Sequence, residues 1–150
     1  DAINSFCEGT NRAVWQSGYD ELRDSLINVS DRLYKYLHHF MTEAIYEENK
    51  SGNFGYFRED KSWKKVWSED YHEYLERSKK WEKLSMNLLA NVVVALNEFA
   101  NAVRASLNPR YFLYEGKFTL LDTMGMTTDG FTPAYYIPDK YIGDQELNLT

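Results

Sequence analysis

Three histidines carry most of the chemical promise in this sequence, and two of them have a carboxylate at a spacing that a helix would use. Glu69-Asp70-Tyr71-His72 contains Glu-x-x-His, which puts a carboxylate and an imidazole on one helical face, as in bundles that bind iron or manganese. A di-metal site needs a second such motif and two further inward carboxylates, and the sequence has no second motif. With Tyr71 and Tyr74 on a packed seam, Glu69 and His72 point toward solvent, so a polar face is expected and no metal. His39 and Glu43, four residues apart, could pair or hold a surface ion. Tyr36 and Phe40 occupy the seam there, so both His38 and His39 are expected to be solvated.

Arg32 and His38 are separated by five residues. Over these seven residues the chain resembles the Arg-x(4–6)-His spacing of the HEPN ribonucleases, all-helical proteins that cleave RNA with those two groups. The chain departs from that family in placing Leu33 after the arginine and in carrying the pair on its first helix. The resemblance implies that His38 serves as general acid or base and that Arg32 stabilises a phosphoryl oxyanion, with a second copy completing the site. Nucleophilic catalysis has little support, because there is no glycine-rich phosphate loop and no Gly-x-Ser-x-Gly elbow, and Cys7 has no adjacent histidine. No cofactor is expected. The sequons at Asn28, Asn49 and Asn148 arise readily in a chain rich in Asn, Ser and Thr.

Composition narrows the partners. The 150 residues carry 17 basic and 23 acidic side chains, a net charge of −6, which opposes bulk binding to nucleic acid or anionic lipid. A basic cluster of Lys61, Lys64, Lys65, Arg77, Lys79, Lys80 and Lys83 is interleaved with Trp63, Trp67, Tyr71, Tyr74 and Trp81, a mixture able to stack bases. Neighbouring acids cancel it, and pairs at spacing four, Glu73 with Arg77 and Glu76 with Lys80, are the simpler expectation. No uninterrupted run of 18 apolar residues is present, so no membrane span is expected. A single cysteine fits a reducing, cytoplasmic compartment, and the opening Asp1-Ala2-Ile3-Asn4 reads as a segment of a larger protein. The 12 Tyr and 4 Trp favour protein contacts, since such side chains are enriched at interfaces. Tyr111, Tyr114, Tyr135, Tyr136 and Tyr141, beside Pro133 and Pro138, are the expected contact patch.

Two helices must position these groups. Trp15, Tyr19, Leu22, Leu26, Val29, Leu33, Tyr36 and Phe40 recur at spacings of four and three, and no Gly or Pro interrupts residues 20–50. One helix over residues 11–49, roughly 57 Å long at ~1.5 Å per residue, is predicted. Its repeat near 3.5 favours coiled-coil-like packing. Gly52 and Gly55 mark a reversal, with Asp60, Ser62 or Ser68 able to cap a new helix. A second stripe, Trp67, Tyr71, Tyr74, Ser78, Trp81, Ser85, Leu88, Val92, Ala95, Phe99 and Ala102, predicts a helix that stops at about Leu107, before Pro109. Residues 84–103 are apolar around more of the circumference than one partner helix can cover, so the C-terminal segment or a second copy must pack there. Residues 110–114 and 117–121 predict a β-hairpin turning at Glu115-Gly116, with an extended segment over 131–141 and a tail from 143 after it.

The expected fold is therefore mainly α: one domain over residues 1–150, a long antiparallel, coiled-coil-like helical hairpin with a small C-terminal β-hairpin and an extended arm. The favoured function is a non-enzymatic interaction or regulatory module that binds a protein partner and forms a homodimer. The alternatives are the HEPN-like ribonuclease using Arg32 and His38, and a small-ligand sensor with an apolar pocket near Met86, Val93 and Tyr111.

Overall fold

The computed structural model describes residues 2–48, 55–65, 69–112, 116–122, 126–127, 130–131 and 134–143. It is mainly helical, with α1 over Ala2–Arg12, α2 over Asp20–Phe40 and α3 over Tyr71–Ser106. Strands β1 (Ala44–Glu48) and β2 (Gly55–Glu59) form an antiparallel pair, and a short 3₁₀ turn over Ser62–Lys65 comes after them.

The single helix predicted over residues 11–49 is replaced by α1, α2 and β1. Gly18 interrupts the first two with φ of +95°, a left-handed conformation that costs little only for glycine. Asp20 and Glu21 then favour the new N-terminus through the helix dipole. At the far end, Thr42 Oγ1 donates to the His39 carbonyl at 2.7 Å, satisfying an acceptor that the next turn would have used. The chain leaves as β1, in which Tyr46 pairs with Phe57 and Ile45 with Arg58. β-Branched and aromatic side chains suit a pleated pair, and Gly55 is required because a Cβ there would fall on the Tyr46 ring. Cys7 lies on α1 as an interior residue, its thiol donating to the Ser30 carbonyl of α2 at 3.5 Å.

Contacts between α2 and α3 run in opposite senses along the two helices. Leu22 packs with Ala102 and Val103, Asn28 meets Glu98, and Phe40 meets Trp81 with ring centroids 5.4 Å apart. The last turn of α3 closes with the Leu107 and Asn108 amides both donating to the Val103 carbonyl, in agreement with the stop predicted before Pro109. An 18-residue window of α3 is apolar enough to cross a membrane by length and composition, although no uninterrupted apolar run exists. More than half of that window is buried inside the fold, as in the core helix of a packed domain.

The C-terminal segment supplies cover for α3. Leu120 packs with Ala90 and Val93, joined by Phe118 and Ile142. Burial of such side chains is worth about 1.5 to 3 kcal/mol each. Two asparagines secure the backbone of this cover. Asn91 donates Nδ2 to the Ile142 carbonyl at 3.1 Å and accepts the Ile142 amide at 2.7 Å, and Asn97 does the same for Phe118 at 3.1 and 2.8 Å. Each amide side chain thus stands in for one rung of a strand ladder.

The hairpin predicted from residues 110–121 is corrected. Arg110, Tyr111 and Phe112 form a turn in which Phe112 has φ of +52°. Arg104 donates to the Tyr111 carbonyl at 3.0 Å and the Phe112 ring stacks on Phe118 at 4.4 Å, so these residues brace the end of α3. Instead, β3 (Leu120–Asp122) pairs antiparallel with β6 (Ala134–Tyr136), and β4 (Met126–Thr127) with β5 (Gly130–Phe131). The expected turn at 49–54, the cap at Ser68, the hairpin turn at Glu115 and the tail from 144 lie outside the described residues.

Candidate functional site

The end of α2, the β1/β2 pair, the 3₁₀ turn and the N-terminal half of α3 meet around an open cleft of about 560 Å³. Glu43 enters it just before β1, where its carbonyl accepts the Asp60 amide at 2.7 Å and closes the mouth of the hairpin. Arg77 reaches from α3 to the Glu43 carboxylate, Nε to Oε1 at 2.9 Å. Glu59, with a side chain only 10% exposed, accepts the Ser78 hydroxyl and lies 2.8 Å from the Lys61 ammonium. The Asp60 carboxylate accepts the Ser62 amide at 2.9 Å, starting the 3₁₀ turn, and this bond holds its carboxyl below the usual carboxylate range.

Aromatic rings form the opposite wall. Trp63 is stacked against Tyr74 with centroids 6.1 Å apart and meets Tyr71 edge-on at 5.4 Å. The Lys64 ammonium lies 5.2 Å from the Trp63 ring centre. A smaller cleft of about 210 Å³ shares Glu43 and Arg77 and reaches His39 and Trp81. His39 Nε2 lies 3.1 Å from the Trp81 carbonyl, and a carbonyl only accepts, so Nε2 carries the proton. Trp81 Nε1 returns a bond to the His39 carbonyl at 3.3 Å.

The expected pairs are rearranged accordingly. Glu43 takes Arg77 in place of His39, and Glu76 takes Lys79 at 2.9 Å in place of Lys80. His39 is tied to Trp81, so it is not the solvated side chain that the seam suggested. Glu69 and His72 are exposed, and among the described residues no three His, Cys, Asp or Glu side chains cluster as metal ligands.

Arg32 and His38 occupy different faces of α2. Six residues at ~100° each leave them about 120° apart around the helix axis. Arg32 lies 4.6 Å from the Tyr141 ring centre, with Nε donating to Asn28 Oδ1 at 3.3 Å, whereas His38 stacks on Tyr34 with centroids 6.1 Å apart. Within one chain they do not converge on a reacting atom. The sensor residues are also dispersed: Val93 packs with Leu120, Tyr111 with Leu22 and Val103, and Met86 is 42% exposed.

Of the expected contact tyrosines, Tyr111 and Tyr141 face inward. Tyr141 accepts Asn28 Nδ2 at 2.7 Å and donates to the Glu98 carboxylate. Burial first, then the hydrogen bond and charge of Glu98, push its phenol up to about 12, against the opposing pull of Asn28 and Arg32. Tyr135 and Tyr136 belong to β6, their side chains outside the described structure, and Tyr114 lies outside the described residues.

The exposed aromatics are elsewhere. Tyr46, Tyr56 and Phe57 on the β1/β2 pair are 55%, 52% and 50% exposed, with Tyr46 and Phe57 edge to face at 5.3 Å. Arg58 binds the Glu47 carboxylate beside them and holds that carboxyl below its ordinary range. The β-forming pairs Ile45-Tyr46 and Tyr56-Phe57, on either side of Gly52 and Gly55, are the sequence signal for this pair. Comparison with protein-family models, curated proteins and solved structures finds no match to this chain.

Proposed function

We propose that this chain is a non-enzymatic protein-interaction module that associates with a second copy through the β1/β2 pair, with α2 and α3 packed in coiled-coil fashion as its support. The observation that carries this reading is the half-exposed aromatic pair of Tyr46 and Phe57 on one face of a two-stranded sheet, with Tyr56 half-exposed on the other face. Two-stranded sheets are marginally stable alone, and their outer edges present unpaired amides and carbonyls that a second strand can meet. Tyrosine and phenylalanine are favoured at the centre of protein interfaces. A two-fold axis lets one edge serve both partners, which makes a homodimer the economical assembly.

Light scattering over a concentration series tests this. The wild-type mass is expected to rise toward twice 17.7 kDa, and a Tyr46→Ser, Phe57→Ser double variant with unchanged helical circular dichroism should need about 10- to 100-fold more protein to do so. A wild-type chain that stays monomeric throughout would overturn the reading.

A further inference from the structure

We infer, building on the self-association proposed above, that the second copy adds along the outer edge of β1, antiparallel and centred on Tyr46, while the outer edge of β2 stays out of the contact. The phase of the β1/β2 ladder decides which backbone groups are available. The Asp60 amide donates to the Glu43 carbonyl, so these two residues form a hydrogen-bonded pair, and in an antiparallel ladder such pairs alternate with pairs that are not bonded. Ile45 with Arg58 and Glu47 with Tyr56 therefore bond inward. Ala44, Tyr46 and Glu48 on β1, and Gly55, Phe57 and Glu59 on β2, turn amide and carbonyl outward.

The two edges are not equivalent. On β2 the Glu59 carbonyl already accepts Arg58 Nη1 at 3.2 Å, and the Glu59 carboxylate is held by Ser78 of α3 and by Lys61. On β1 the outward groups of Ala44, Tyr46 and Glu48 have no backbone hydrogen bond elsewhere among the described residues. The Tyr46 ring leans the other way, over Gly55 of β2, and so does not cover its own outer edge.

The β1 edge is also complementary to itself. A two-fold axis at Tyr46 sets Tyr46 opposite Tyr46 of the second copy, Ala44 opposite Glu48, and Ile45 opposite Glu47. Each outward amide then faces an outward carbonyl, and no two carboxylates are directly opposed. The product is a four-stranded sheet with Phe57, Tyr46 and their two counterparts in one row on a single face. Four strands also relieve the marginal stability of a lone pair.

Light scattering fixes the concentration at which wild-type chains pair, and two variants then test the edge. Ala44→Pro deletes an outward amide at the first residue of β1, where proline leaves the inward ladder intact, and should raise that concentration by about 10- to 100-fold. For the register, Ile45→Cys and Glu47→Cys chains, each also carrying Cys7→Ala, are mixed and oxidised. Opposed Cα atoms at about 4.5 Å permit a disulfide, whereas like positions, about 8 Å apart, do not. Cross-linking is expected in the mixture and in neither chain alone. A wild-type mass that stays at 17.7 kDa would overturn self-association and the β1 edge together. Undiminished pairing by a folded Ala44→Pro chain, or cross-linking that is absent from the mixture or equal in the unmixed chains, would overturn the β1 edge and leave self-association standing.

Discussion

Asn91, on the C-terminal half of α3, is 0% exposed and holds the backbone of Ile142 by two hydrogen bonds, whereas Arg77, on the N-terminal half, is 62% exposed and grips Glu43 at the rim of a cleft. Both side chains tie α3 to another segment. The amide does so without charge, so it can be enclosed with its polar atoms satisfied, and Leu120 and Ile142 then seal the surface around it. The guanidinium and its carboxylate would lose hydration on enclosure, and the stable arrangement leaves them wet. One helix thereby carries a closed half that supplies stability and an open half that supplies a surface.

Substitutions should separate the two halves. Asn91→Ala removes both bonds and leaves the Ile142 amide and carbonyl orphaned in the interior, so urea unfolding should show a loss of about 2 to 4 kcal/mol. Asn97→Ala, at a half-buried position, should lose about half as much, and equal small losses at both would break the picture of a sealed half. At high pH the Tyr141 anchor should fail next. Its phenol is raised to about 12 in the folded chain against about 10 when unfolded, so the folded state holds the proton more tightly. Stability is full below pH ~10 and falls as pH rises from there toward 12. Tyr141→Phe should flatten that decline, leaving the smaller contribution of Tyr36, which burial also raises. An unchanged alkaline midpoint in the variant would remove Tyr141 as the cause. Arg77→Gln, at the open half, should change stability by less than about 1 kcal/mol, because exposed ion pairs contribute little. A loss comparable to that of Asn91→Ala would erase the contrast between the halves.

The closed half is the more legible in the sequence. Trp81, Ser85, Leu88, Val92 and Ala95, spaced by four and three, and Ala102 seven further on are all buried on α3, and Pro109 marks its end well. The excess of apolar residues over 84–103 correctly demands extra cover. The clamps at Asn91 and Asn97 are invisible, because a polar residue on a helix gives no sign that its partner is a backbone 51 or 21 residues away. The open half misleads where helix and strand share a pattern. Residues 41–48 contain neither Gly nor Pro and directly follow the stripe that ends at Phe40, so the absence of a breaker extends the predicted helix. What ends it is the Thr42 side-chain bond and the pairing of Tyr46 with Phe57, the latter a partner beyond any local window. Tyr71 and Tyr74 fit the seam by spacing but lie beyond the reach of α2, which stops at Phe40, and they turn to Trp63.

The bond from Asn28 to Tyr141 spans 113 residues, and those from Asn91 to Ile142 span 51. Contacts this distant form late, since the intervening loops must close before they contribute. During synthesis from the N-terminus, α2 and α3 are complete before Leu120 has been added. The nascent chain therefore passes through a stage in which Ala90 and Val93 exist without their cover, a window for chaperone capture that ends when the segment over 118–142 arrives.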